Sequence, residues 1–481
     1  MASSIIRPWI DGRPAGGRAR TSEPVTRPWD GRLLAQVELA RPGDLDRAIA
    51  GAQRGFDTMR LLPAHRRRAI LLAAADGLRR DRAAFGKLMS DDAGKPITLA
   101  LGEVDRAIAT FTIAAEELRQ FGGEFPPADI DPRGEPFQAL TRRFPVGPIA
   151  AIAPFNFPLN LVVHKVAPAI AVGSSVVLKV PPQAPLAAFR LARLLAEAGL
   201  PEGALQVLHM PIPVAERLAT DPAFAMLSFT GSPAVGWHLK TLAGRKRVTL
   251  ELGGNAAAVV HSDAVNLPEV AARIAWGAFA YSGQVCIKVQ RLLVHAPLYR
   301  RFVRMVVAAT RALKVGDPSD PATVVGPLID DAAADRVQAW IREAVGEGAL
   351  PLLRGRRRQR LVAPTILERV RHDSKVSCRE VFGPVLTVAP YRTWDEALRL
   401  VNDSEFGLQA GVFTAEAARV FEAWQRLDVG GVVANDIPTV RLDHLPYGGV
   451  KSSGFGREGL REAMREMSEP RLLLWRTGAG Q

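Results

Sequence analysis

The stretch Ile149-Ala-Ala-Ile-Ala153, continuing through Pro154–Gly173 and closing with Ser175-Val-Val-Leu-Lys-Val180, decides the fold. Its two ends are short apolar runs of buried-strand length. Between them, residues 158–171 are apolar with helical spacing. After Val180, Pro181-Pro-Gln-Ala-Pro185 stops the strand, and a second helix is expected through Ala198, ended by Gly199 and Pro201. Strand, helix, strand, helix in this order implies a parallel sheet with both faces covered, hence an α/β fold.

Working outward, residues 64–90 read as one amphipathic helix and 99–121 as another. Residues 122–148 are rich in Gly, Pro and Asp and read as a hairpin or excursion from the core. A second α/β pattern runs from about 250 to 440. Its strand candidates are Val259-Val260, Arg291–Val294 and Val385–Val388, and its helix candidates are 298–313 and 330–345. Arg471-Leu-Leu-Leu-Trp475 reads as a last strand. A chain of 481 residues suggests two or three domains.

Bulk properties exclude several classes. The formal charge is +13, but the arginines are dispersed, with short runs only at Arg66–Arg68 and Arg354–Arg360. No zinc-ligand spacing and no RNA-binding signature accompany them, so neither nucleic acid nor a metal is expected as a partner. Two distant cysteines argue for a reducing compartment. Residues 1–9 lack a signal-peptide core, and the apolar stretch 161–180 carries His164, Lys165 and Lys179, which makes a membrane span unexpected. The cytoplasm is the expected location.

Three residues draw chemical interest. Cys286 follows a Gly-Gln turn; a lone cysteine is commonly a small buried hydrophobe, but a helix starting near 286 would lower its pKa. Cys378, in an apparently extended run, fits the hydrophobe reading better. Glu251 interrupts the apolar run Val248-Thr-Leu-Glu-Leu252. It is either salt-bridged or a base whose pKa burial has raised. Asn156 lies between two Phe-Pro elements, as a turn residue or as a fixed amide able to donate to an oxyanion. In Ser228–Gly236, Ser232 suits a helix cap and Pro233 its first position, a terminus that binds anions; the spacing of Gly231 and Gly236 fits neither G-x-G-x-x-G nor a Walker loop. Lys179 closes an apolar strand, where α/β sheets hold ligands.

These stretches stand in order as Pro154-Phe-Asn-Phe-Pro158, Leu178-Lys-Val-Pro-Pro182, Phe229-Thr-Gly-Ser232, Glu251-Leu-Gly-Gly254, Gly283-Gln-Val-Cys286, Glu380-Val-Phe-Gly-Pro384 and Pro446-Tyr-Gly-Gly-Val-Lys-Ser-Ser-Gly454. Together they resemble the aldehyde dehydrogenase superfamily over nearly the whole chain. The resemblance implies a Rossmann-like cofactor domain, an α/β catalytic domain and a small β oligomerisation arm. It implies Cys286 as nucleophile, Glu251 as the base for hydrolysis and Asn156 as oxyanion donor, with Lys165 and Glu458 at positions used for proton transfer. For NAD or NADP it implies Lys179 at the adenosine ribose, Gly231 and Ser232 at the pyrophosphate with Gly236 and Leu252 nearby, Glu380 at the nicotinamide ribose and Phe382 beside the ring. Two departures stand out. Phe155 replaces a common Trp, and Pro182 replaces the Glu that binds the ribose hydroxyls in many NAD-preferring members. Proline removes a carboxylate that repels a 2′-phosphate, so NADP is expected to be tolerated or preferred.

By the same resemblance, residues 1–122 and 146–250 form the cofactor domain, 251–450 the catalytic domain, and 123–145 with 460–481 the arm of a homodimer or homotetramer. The product is expected to be a free acid. A CoA-acylating semialdehyde dehydrogenase and a non-catalytic member of the fold are the alternatives; Glu251 counts against the first, and intact Cys286, Asn156 and Glu251 against the second. Leu442-Asp-His-Leu-Pro-Tyr447 is similar to the lactaldehyde, phosphonoacetaldehyde and succinic-semialdehyde dehydrogenase branch, in which Arg106 and Arg441 are candidates to hold an anionic tail.

Overall fold

The structure is a computed structural model and describes residues 4–16 and 21–477. Its first large sheet has eight strands. Five are parallel and lie in the spatial order Arg247–Glu251, Met226–Thr230, Ile149–Ile152, Val176–Lys179, Leu205–Leu208. Gly454–Phe455 pairs antiparallel at one edge, and on the other side Trp9–Ile10 and then the edge strand Arg13–Pro14 follow antiparallel. The chain starts at Ile149–Ile152, winds outward to one side through Leu205–Leu208, then returns to wind outward on the other. Neighbouring strands Ile149–Ile152 and Met226–Thr230 therefore diverge into loops on opposite faces, opening a crevice at their carboxyl ends.

The helix Asn160–Val172 crosses from Ile149–Ile152 to Val176–Lys179 and is buried at every residue, which explains its unbroken apolar sequence. Gly173, at φ 92°, ends it in the left-handed conformation that glycine adopts without steric cost. The following helix is Leu186–Glu197. The segment expected as a single helix over 64–90 is two, Ala64–Arg80 and Arg82–Asp92, broken at Asp81. Asp81 there accepts a hydrogen bond from Arg190 at 2.8 Å. The helix Ile97–Glu117 packs against both, burying Val104, Ala107 and Phe111.

The second sheet has seven strands in the order Leu350–Leu353, Thr365–Glu368, Val385–Tyr391, Arg291–His295, Ala257–Val260, Gln409–Phe413, Gly431–Ala434, parallel except at Leu350–Leu353. Phe137–Pro145 pairs antiparallel with Gly123–Glu124 and with Ser468–Arg476, making a separate three-stranded sheet. On its edge strand Leu472, Leu473, Leu474 and Trp475 are all exposed. The helix Leu460–Glu466, placed with the arm by sequence, instead buries Leu460 and Met464 in the core beneath the first sheet. Among the described residues, no helix is long and apolar enough to cross a membrane. Cys378 stands in the helical turn Lys375–Cys378 rather than in an extended run.

Candidate active site

The strand Ile149–Ile152 delivers Pro154–Pro158 into the crevice, and the side-chain Nδ2 of Asn156 donates to the carbonyl of Gln284 at 3.0 Å. The loop holding Asn156 is fixed from behind by two residues the sequence did not single out. The Lys95 ammonium donates to the Asn156 carbonyl at 3.0 Å and to the Glu103 carboxylate at 2.5 Å. The other Glu103 oxygen accepts the backbone N–H groups of Leu159 and Asn160, each at 2.9 Å, so a carboxylate satisfies the helix N-terminus that follows. Lys95 and Glu103 are fully buried, and burial pushes Lys95 down to about 8 against the pull of Glu103. No local pattern marks this pair, because its partners come from three elements.

The loop before Cys286 carries three consecutive left-handed residues, Tyr281, Ser282 and Gly283, at φ 52°, 57° and 69°. Such backbone persists only where neighbours over-determine it. Tyr281 Oη donates to the Ala93 carbonyl at 3.1 Å, Ser282 Oγ to the Gly326 carbonyl at 2.6 Å, and Gln284 Oε1 accepts from Ile329 N at 2.9 Å. A side chain at Gly283 would stand 2.4 Å from the Gly383 carbonyl, so only glycine fits. Gly254 is equally confined: its β-carbon would meet the Cys286 carbonyl at 2.7 Å.

No helix opens at Cys286 among the described residues, so the condition for a lowered thiol pKa is not met; the thiol is followed by irregular chain up to the strand at Arg291. Desolvation pushes it up to about 11; the Tyr447 hydroxyl, 3.4 Å from Sγ, and the Arg441 charge pull the other way, and Glu380 and Glu251 add to the rise. Glu251, the last residue of its strand, is buried, and among the described residues neither carboxylate oxygen has a hydrogen-bond partner. Burial and the nearby Glu458 hold its pKa well above the usual carboxylate range, overcoming Arg441 and Lys165.

Ten of the residues singled out by sequence line one cleft of about 550 Å³: Asn156, Lys179, Pro182, Gly231, Ser232, Glu251, Leu252, Cys286, Glu380 and Phe382. Gly231 and Ser232 stand where the helix Pro233–Leu242 opens into this cleft, although the Ser232 side chain makes no capping bond. Gly236 lies behind, in the helix, where a β-carbon would come within 2.4 Å of Leu252. Glu380 accepts the Gly254 N–H at 3.0 Å, and desolvation raises it to about 7. Phe382, at φ 44°, packs edge-on to Phe155 with ring centroids 5.9 Å apart. Lys165 and Glu458 also lie behind the cleft. Lys165 Nζ donates to Ser228 Oγ at 3.0 Å, Thr230 Oγ1 at 2.8 Å and Glu458 Oε1 at 3.3 Å. Burial opposes charge on Glu458, but Lys165 and Arg441 prevail and hold it below the usual range.

A second cavity of about 290 Å³ approaches Cys286 from the opposite side. Leu161, Cys286, Arg441 and Tyr447 face both cavities, so the sulfur sits at their junction. Arg106, on the wall of the second cavity, forms a two-pronged pair with Asp443 at 2.7 and 3.0 Å. Arg441 donates to Glu458 at 3.0 Å.

A helix N-terminus in the crevice of a doubly wound sheet is the architecture of a nucleotide-binding enzyme. Residues 16–473 match the aldehyde dehydrogenase family, and the chain belongs to it. It is an NAD(P)-dependent aldehyde dehydrogenase of α/β fold. It is 43% identical to 3-sulfolactaldehyde dehydrogenase of Priestia aryabhattai over 441 residues, 92% of each chain. Among solved structures it is similar to aldehyde dehydrogenase 21 of Physcomitrella patens in complex with the reaction product succinate, with a TM-score of 0.97 and 38% identity over 99% of each chain. NADP-dependent glyceraldehyde-3-phosphate dehydrogenase of Bacillus halodurans C-125, complexed with NADP, superimposes with a TM-score of 0.95 at 32% identity, over 99% of this chain and 100% of that one.

Proposed function

We propose that the enzyme oxidises a short aldehyde with an anionic tail to the carboxylic acid, through covalent attachment at Cys286. The observation that carries this reading is the junction: a thiol reached from two cavities, one of which also holds an unpartnered carboxylate and an oriented amide. The Cys286 thiolate adds to the carbonyl carbon, and the π electrons move onto oxygen. The Asn156 amide carries two hydrogens; Gln284 takes one and fixes the group, leaving the second for that oxyanion. The backbone N–H of Cys286 is the second donor. Bound NAD(P)+ supplies the hydride acceptor. Glu251 then takes a proton from water, which attacks the thioester carbon and releases the acid and the thiolate. The missing partners of Glu251 suit this task, since an idle carboxylate has lone pairs free for water. Lys165 and Glu458 carry the proton away behind the cleft.

The cofactor cleft fits a dinucleotide on the chain's own residues. In this reading Lys179 meets the adenosine ribose and the helix at Pro233 the pyrophosphate, with Glu380 for the second ribose and Phe382 beside the ring, a reading supported by their sharing one cleft. Pro182 presents no carboxylate, which favours tolerance of a 2′-phosphate with Lys179 as charge partner. The named substrates or products of the three relatives, a sulfonate, a dicarboxylate and a phosphate, are all anions. Arg441 and Arg106 on the second cavity are the matching cations here, with Arg106 drawn from Asp443 when the tail arrives. Residues 1–122 and 146–250 act as the cofactor unit and 251–450 as the catalytic unit. Strands from 123–145 and 468–476 are the arm through which a homodimer or homotetramer buries Leu472–Trp475.

The test is NAD(P)H formation with anionic aldehydes, with and without CoA, in the parent, Cys286→Ser and Glu251→Gln. The parent turns over without CoA, Cys286→Ser does not, and Glu251→Gln gives a burst of about one NAD(P)H per site and then stalls. Parental rates in Cys286→Ser would sink the proposal, and an absolute need for CoA would replace it with the acylating reaction.

A further inference from the structure

We infer that Tyr447 is a further catalytic residue, whose hydroxyl donates a hydrogen bond to the Cys286 sulfur and stabilises the thiolate. The inference rests on Cys286 being the nucleophile.

A buried thiolate needs a helix N-terminus, an adjacent cation or a hydrogen-bond donor. No helix opens at Cys286 among the described residues. The Arg441 charge favours the thiolate, but among the described residues its guanidinium gives no hydrogen bond to the sulfur; it gives one to Glu458, and its Cζ lies 3.8 Å from the centre of the Tyr447 ring. Tyr447 Oη is 3.4 Å from Sγ, and among the described residues the sulfur is that hydroxyl's one hydrogen-bonding partner. While the thiol is neutral either atom can donate. Once it ionises only the hydroxyl can, and the bond becomes charge-assisted. The contact therefore favours the thiolate over the thiol.

The surroundings keep the hydroxyl in this role. Tyr447 is buried, and its backbone is locked by a reciprocal pair with Glu458, N–H to carbonyl at 2.9 and 2.7 Å. Burial and the neighbouring sulfur push the phenol well above its usual range, so it stays protonated and able to donate. A guanidinium over the ring face draws on its electron density and strengthens the O–H as a donor. Tyr447 lines both cavities, and its hydroxyl lies beside the sulfur that the aldehyde carbon must meet.

The experiment is Tyr447→Phe in a Cys378→Ser background, read by mass spectrometry as the rate of iodoacetamide alkylation of Cys286 across pH, without cofactor. Phenylalanine keeps the ring and the guanidinium stacked on it and removes one oxygen. Losing a hydrogen bond to a charged group raises the thiol pKa by about one to two units. The higher intrinsic nucleophilicity of a more basic thiolate offsets roughly half of that, so alkylation at a fixed pH below the midpoint slows about 3–15-fold. The rate–pH curve moves to higher pH, a shift that a loss of packing alone would not produce. A curve superimposing on the parent's overturns the role of Tyr447. Cys286→Ser run alongside separates the two ideas: if it is inactive while the Tyr447→Phe curve is unmoved, only the Tyr447 inference fails; if it oxidises aldehydes at the parental rate, the nucleophile reading fails and takes Tyr447 with it.

Discussion

Both large sheets are doubly wound, and each opens a crevice where neighbouring strands turn to opposite sides. In the first sheet the polar groups there are left idle. Among the described residues the Glu251 carboxylate has no hydrogen-bond partner, Lys179 has a 3.3 Å contact to the carbonyl of the next residue, and Asn156 uses one amide hydrogen of two. In the second sheet most of the corresponding groups hold one another, although Asp263 Oδ1 and Trp394 Nε1 are buried without a hydrogen-bond partner among the described residues. His261 Nδ1 lies 2.8 Å from Tyr391 Oη, the His261 and His295 rings stack at 4.3 Å, and Asp263 accepts from Thr414 and Arg419 at 2.9 and 3.0 Å. A buried polar group without a partner costs about 1–3 kcal/mol. That cost is consistent with a crevice whose missing partners arrive as cofactor, substrate and water. The second crevice instead pairs His261, Thr414 and Arg419 within the chain.

The contrast breaks most sharply at Asn156. Asn156→Ala removes the second amide hydrogen from the first crevice, and single-turnover acylation should slow about 10²–10³-fold, the usual effect of losing one oxyanion donor. Lys95 and Glu103 still hold the loop by its backbone, so cofactor binding, read by fluorescence titration, should stay within about twofold. Equal losses in both measurements would mean that the side chain serves the loop and not the oxyanion.

Much of the first crevice is legible in the chain because local backbone demands carry it. Gly254 and Gly283 sit where a β-carbon would collide with the backbone of Cys286 and Gly383, and Gly173 stands at a left-handed helix end. Such constraints leave short motifs around the residues that matter. What escapes the sequence depends on distance along the chain. Tyr447 meets Cys286 across 161 residues, and Arg106 meets Asp443 across 337. The second pairing turns an arginine expected to be free for an anion into one already engaged. How the thiol is presented escapes the sequence for a related reason. Strained left-handed backbone, held by Ala93, Gly326 and Ile329, presents it, and none of those anchors is near it in sequence. Asp81, which accepts a hydrogen bond from Arg190 of another helix, interrupts a pattern that reads as continuous.

A smaller effect is expected at the rim of the same crevice. Pro182→Glu restores a carboxylate opposite Lys179, on the cleft wall. One extra negative charge near a 2′-phosphate, in a partly hydrated cleft, is worth roughly 1–2 kcal/mol, so the ratio of kcat/KM for NADP+ to that for NAD+ should fall about tenfold. An unchanged ratio would mean that Pro182 does not face the adenosine ribose and that cofactor choice is made elsewhere.

The smallest effect tests the other side of the comparison. His261→Phe keeps a flat ring stacked on His295 and edge-on to Trp394, and removes the hydrogen bond to Tyr391. The Tyr391 hydroxyl is left with its 3.4 Å contact to the Val260 carbonyl, a weak replacement, so the second sheet should lose about 1 kcal/mol. In a chain of this size that is a fall in Tm of about one or two degrees. Turnover should not move, because the residue serves only the strands it joins. A variant with parental Tm and reduced kcat/KM would reverse the assignment, making the second crevice part of the catalytic machinery and its mutual pairing a resting state.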